Sequence, residues 1–115
     1  MTTERRTIKR RKFDYYMPVF DATTDENLGY LSDINQRGFK LESNKLLPVN
    51  TVYSLRMNLS SAVSSVAHIA FTARVAWSHV DPYAPMEFVS GFQIVRINPD
   101  EQRIFDRMVE MYSLA

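Results

Sequence analysis

Between Ala67 and Ser78 the chain reads "AHIAFTARVAWS" and alternates in polarity. Ile69, Phe71, Ala73, Val75 and Trp77 fall on one face, while His68, Thr72, Arg74 and Ser78 fall on the other. A period of two marks a strand with one buried face. Residues 67–78 are therefore predicted as a strand, with Trp77 closing its apolar face in the core. "TVYSLRMNL" (51–59) alternates in the same way, setting Tyr53, Leu55, Met57 and Leu59 against Val52, Ser54, Arg56 and Asn58. "FDYYMPVFDA" (13–22), "LGYLSDIN" (28–35) and "GFKLES" (38–43) have the strand-like aromatic and β-branched content, the last two meeting at Gln36-Arg37-Gly38. "EFVSGFQIVRI" (87–97) reads as a sixth strand, in which Gly91 implies a bulge or a close backbone approach. Polar or proline-bearing stretches at 23–27, 44–50 and 79–86 read as connections, which makes His79 a loop residue.

Only the end of the chain has helical spacing. "NPDEQRIFDRMVEMY" offers Asn98 as N-cap and Pro99 at the first helical position. Asp100 and Glu101 suit the positive end of the helix dipole. Ile104, Phe105, Met108, Val109 and Tyr112 then recur on one face. Six strands followed by one helix predict a mainly all-β fold: a six-stranded antiparallel β-barrel with a C-terminal α-helix.

Composition narrows the function. The chain has 115 residues, a length for one domain, and 45% hydrophobic content, enough for an ordinary core. It has no cysteine, which excludes disulfides, thiolate metal sites and cysteine nucleophiles. No apolar run approaches the roughly 20 residues of a membrane span, and the N-terminus is charged where a signal peptide needs an apolar stretch. A cytoplasmic protein without membrane insertion is expected.

Charge adds a division. Arg5, Arg6, Lys9, Arg10, Arg11 and Lys12 are six of the fourteen basic residues, leaving eight against thirteen acidic residues elsewhere. Residues 1–12 are therefore expected to form a flexible basic arm, and residues 13–115 a single, mildly acidic barrel domain. On charge alone, such an arm is either a solvated tag or a clamp for an anion.

Catalysis is not expected. His68 and His79 stand apart, without carboxylates at metal-ligand spacing, and three glycines build no phosphate-cradling loop. Neither a metal nor any other cofactor is implied. A binding site is easier to assemble. Arg6 and Arg10 lie four apart with Arg5 beside them, and a guanidinium both stacks on a base and forks onto guanine O6 and N7 or onto a phosphate. Guanine's N1–H and N2 amine need acceptors, which Asp33 and Asn35, alternating onto one side of their strand, can supply. Gly38 follows in the turn, where a missing side chain admits a ligand or a backbone.

The order of these features resembles the PilZ domain family, bacterial receptor modules for cyclic di-GMP. That family carries Arg-x-x-x-Arg before its first strand and [Asp/Asn]-x-Ser-x-x-Gly between its second and third. Here the first is "RTIKR", Arg6 to Arg10 with Arg5 as the doubled arginine, and the second is "DINQRG", Asp33 to Gly38, with Asn35 in place of serine. "ARVAWS" and "GFQIVRINPDEQRIFDRMV" match the late strands and the helix. The resemblance implies a cyclic di-GMP receptor whose arm folds over the ligand, with Arg5, Arg6, Arg10, Asp33, Asn35 and Gly38 as ligand-binding residues. It also implies a downstream protein partner. The alternative is a degenerate adaptor that binds a protein partner without nucleotide. DNA or RNA binding fits poorly, because an acidic body repels a long polyanion.

Overall fold

The computed structural model describes residues 17–59 and 64–112, so the arm and the start of the 13–22 segment lie outside the described residues. Six strands follow in order: β1 (Pro18–Asp21), β2 (Asn27–Asn35), β3 (Gly38–Ser43), β4 (Val52–Asn58), β5 (His68–Asp81) and β6 (Ala84–Arg96). One helix, α1 (Pro99–Tyr112), ends the chain. The strands close into a barrel in the order β1-β2-β3-β6-β5-β4, with antiparallel pairing throughout. The β1–β4 pairing closes the sheet, so that among the described residues every strand has a hydrogen-bonded neighbour on both sides over part of its length.

Alternation decides what the barrel encloses. Leu55 and Met57 on β4 and Ile69, Phe71, Ala73 and Val75 on β5 all point inward and are buried. Phe39 sits among three rings: it stacks on Phe92 at 5.1 Å and meets Phe71 and Phe105 edge-on at 5.7 and 6.4 Å. Offset and edge-to-face pairs are the favoured geometries for aromatic quadrupoles. The predicted helix face is the packed one, with Phe105, Met108, Val109 and Tyr112 buried and Ile104 against the same cluster. Asn98 acts as the cap: its Oδ1 accepts the Glu101 N–H at 2.9 Å, and its carbonyl accepts the Gln102 N–H at 2.8 Å. Glu101 reaches back to accept the Ala70 N–H at 3.0 Å, tying the first turn to β5.

Two expectations fail at one place. Residues 79–86 do not form a loop, because β5 runs on to Asp81 and β6 begins at Ala84, with only Pro82 and Tyr83 between. Two prolines give this stretch the composition of a loop, yet Pro82 falls in the turn, where no N–H is needed and its fixed φ suits the chain reversal. Asp81 secures that turn by accepting the Tyr83 N–H at 2.9 Å. His79 is consequently a strand residue. Trp77 is also displaced from its predicted place. The β5–β6 register slips between Val75 and Trp77, and this bulge moves Trp77 off the inward face, leaving it half-buried on the outside.

Candidate functional site

The bulge at Ala76 and a second one near Ser32 align a row of residues across four strands. Cα pairing runs Asp33–Lys40 between β2 and β3, Lys40–Gly91 between β3 and β6, and Gly91–Trp77 between β6 and β5. Beside it runs Asn35–Gly38–Gln93–Arg74. Ile34, between Asp33 and Asn35, is buried in the core, so the two flanking side chains belong to the outer face. This much of the sequence pattern carries through.

Trp77 organises the outer face. A Cβ on Gly91 would lie 2.3 Å from the indole, so the ring rests where that side chain would have been. The His79 imidazole stacks on it, with centroids 4.9 Å apart and planes at 15°. Lys40 Nζ stands 5.9 Å from the indole centroid, at the outer limit of a cation–π contact. Two hollows open on either side of Lys40 and Trp77. One, of about 350 Å³, includes Asp33, His79 and Tyr83, with Glu42 and Asp81 at its base. The other, of about 260 Å³, includes Asn35, Arg37, Gly38 and Gln93. Because they share two walls, they form one surface in two lobes.

Asn35 does something the sequence does not announce. Its Oδ1 accepts both the Arg37 N–H at 2.8 Å and the Gly38 N–H at 3.1 Å, an Asx turn that shapes the β2–β3 hairpin. An amide oxygen has two lone pairs, so the expected acceptor is already taken up, and the carboxamide offers its amine outward. On the same face stands Asp33, half-buried, whose Oδ1 takes the Ile34 N–H at 2.8 Å.

Gly38 is required by backbone, whatever its part in binding. A Cβ there would lie 1.9 Å from the Phe92 carbonyl oxygen on β6. A carbonyl in a sheet ladder cannot swing aside as a side-chain tip can. Gly38→Ala should therefore destabilise the barrel by about 1–3 kcal/mol, as overpacking does, read as a lower midpoint in urea. An unchanged midpoint would show that β3 and β6 part at no cost.

The charge around the larger hollow is mainly negative. Asp33, Glu42 and Asp81 line it against Lys40. Glu42, Asp81 and Glu87 also bring carboxylate oxygens within 4.8 Å of one another. Oxygen sets of this kind suit hard cations. Here Glu42 accepts from the Tyr30 hydroxyl at 3.4 Å and Asp81 from the Tyr83 amide. Chemically, this face supplies acceptors and a flat aromatic platform, and a dianion needs its positive charge from elsewhere. Arg5, Arg6 and Arg10 lie outside the described residues. Sequence reasoning passed over Lys40 and His79. The signal for Lys40 was its pairing opposite Asp33, and His79 was hidden by the misread loop.

A PilZ domain family model matches residues 4–111. Among solved structures, the fold is similar to the PilZ domain with c-di-GMP of YcgR from Escherichia coli, at a TM-score of 0.58 and 13% identity over 84% of this chain and 80% of that one. It is also similar to K. pneumonia MrkH in its apo state, at a TM-score of 0.61 and 15% identity over 84% of this chain and 45% of that one. This chain thus spans less than half of MrkH. No curated protein matches.

Proposed function

The chain belongs to the PilZ domain family, and from that premise we propose that it is a receptor for cyclic di-GMP, a signalling effector and not a catalyst. The observation that carries this reading is the row Asp33–Lys40–Gly91–Trp77 on the outside of the barrel. It sets a carboxylate acceptor, a cation and a half-buried, outward-facing aromatic side by side, next to the turn that Asn35 shapes. The barrel then addresses guanine's donor edge, N1–H and N2, through Asp33. The arm of residues 1–12 supplies what the barrel lacks. Arg5, Arg6 and Arg10 take the Hoogsteen acceptors and the phosphates, and the arm folds over the ligand as it binds. Ordering such a segment costs conformational entropy, so the new position of the arm is itself the signal offered to a protein partner.

Titration calorimetry tests the proposal. Binding with a dissociation constant of about 1 μM or lower, roughly −8 kcal/mol, is expected, whereas no heat and no shift of amide resonances with excess ligand would favour the adaptor reading. Trp77 is the chain's one tryptophan, so its fluorescence reports directly on this face and should change on binding.

Substitutions separate reading of the base from mere attraction of an anion. Asp33→Ala should weaken binding by about 1–3 kcal/mol, the cost of leaving a donor unpaired. Asn35→Ser should keep the affinity, because a serine hydroxyl also accepts from backbone N–H groups two and three residues on. Cyclic di-AMP should fail to compete, since adenine presents its N6 amine where an arginine needs the O6 acceptor. Equal competition, with indifference to Asp33, would mean that the arm alone holds an anion.

A further inference from the structure

The two lobes differ in what they offer. Asp33, Glu42 and Asp81 make the larger one rich in acceptors. Among the described residues no carboxylate lines the smaller one, and Arg37 and Lys40 give it positive charge. Its two amides are turned to match. Arg74 on β5 donates through Nη2 to Gln93 Oε1 at 2.5 Å and through Nη1 to Asn50 Oδ1 at 3.1 Å. A guanidinium only donates, so the oxygen of Gln93 faces Arg74 and the Nε2 amine stands on the other side of the planar group. Asn35 is fixed by the same logic, because backbone N–H groups hold its Oδ1. Neither amine has an acceptor among the described residues. Asn50 is itself anchored, since its N–H donates to the Val75 carbonyl at 2.7 Å. In the row Asn35–Gly38–Gln93, Gly38 contributes no side chain. The result is a gap two strand spacings wide, about 10 Å, with an amide on either wall.

We infer that the smaller lobe is a subsite for one phosphodiester of the dinucleotide, in which Gln93 is a further ligand-binding residue and Arg74 positions it. The inference rests on the receptor reading and extends it from the base to the phosphate. A phosphodiester suits the lobe because its two non-bridging oxygens accept in different directions and carry the charge that Arg37 and Lys40 complement. Guanine's N1–H and N2 edge does not suit it, since donors would face donors. That edge belongs with Asp33 in the larger lobe. Amide donors orient an anion at contact distance and exert little pull beyond it. The arm therefore remains the main source of attraction, and the lobe fixes where one phosphate comes to rest.

The test is calorimetric titration of the full chain with cyclic di-GMP at constant ionic strength. Gln93→Glu keeps an oxygen for Arg74 but replaces the amine with a second carboxylate oxygen. It should weaken binding by about tenfold or more, the scale of one charge-assisted hydrogen bond. Gln93→Ala removes the donor without adding charge and should weaken binding about three- to tenfold. Asn58→Asp adds the same charge at the start of β5, opposite His68, and should bind like the parent. Arg74→Met should weaken binding, yet add nothing to the loss once Gln93 is alanine, as expected of two residues acting as one unit. The phosphorus resonances of the bound ligand should differ between the parent and Gln93→Ala. Urea midpoints establish that each barrel is intact. Parent-like binding by Gln93→Glu, an equal loss in Asn58→Asp, or unchanged phosphorus resonances would overturn the inference while leaving the receptor proposal standing. Additive losses at Arg74 and Gln93 would overturn the positioning role. Absence of binding by the parent would instead overturn the receptor proposal, and this inference with it.

Discussion

Replacing Arg6 and Arg10 together with alanine is expected to weaken cyclic di-GMP binding at least a hundredfold while leaving thermal unfolding unchanged. The barrel explains why the effect is large. The larger lobe is lined by Asp33, Glu42 and Asp81 against Lys40, so without the arm a dianion meets net repulsion. Each charge-assisted hydrogen bond contributes about 1.5–3 kcal/mol, and tenfold in affinity corresponds to about 1.4 kcal/mol; losing two such contacts therefore exceeds two decades. The unfolding midpoint should not move, because the barrel closes through the β1–β4 pairing and encloses a continuous buried core among the described residues. Binding by the parent should also weaken as salt is raised, since part of the attraction is long-range. A double variant that unfolds early would show that the arm is part of the fold. One that binds normally would move the anion contacts to Lys9, Arg11 or Lys12.

Phe105→Ala should cost about 3–5 kcal/mol of stability, the usual range for a buried phenylalanine. At a few degrees per kcal/mol for a domain of this size, the melting midpoint should fall by roughly 10–20 °C. Phe105 is fully buried, and it meets Phe39 at 6.4 Å and Phe71 at 6.1 Å. Removing the ring opens a cavity between helix and barrel that flat β-strand backbone cannot collapse to fill. The consequence reaches the site, because Phe39 stacks on Phe92 and both line the smaller lobe. A loss below about 1 kcal/mol, well under what a cavity of this kind costs, would mean that α1 is a peripheral attachment and not the plug of the core.

The strands, the helix and its cap were legible because each depends on a short-range rule. Period two in 51–59 and 68–75 reappears as buried Leu55, Met57, Ile69, Phe71, Ala73 and Val75. Asn98 caps as an N-terminal asparagine should, through a bond three residues away. The misreadings cluster where partners are far apart in sequence. Trp77 continues the alternation perfectly, yet a bulge against β6 turns it outward, and nothing in 67–78 encodes that slip. The segment 79–86 has the composition of a loop, yet pairing with the opposing strand extends both partners to a two-residue turn.

The site divides along the same line. Local pattern alone sets the motif positions, the charge of the arm, and the placement of Asp33 and Asn35 on one face, since strand periodicity is a short-range property. Which residues join them depends on how the strands pair. Lys40, Gly91 and Trp77 stand beside Asp33 because three separate strand pairings bring them into register. The folded chain also engages Asn35 Oδ1 in its own turn and makes Gly38 answer to the Phe92 carbonyl. Hydrogen-bond partners and close approaches are set by through-space geometry, to which one strand's pattern of polar and apolar residues is blind.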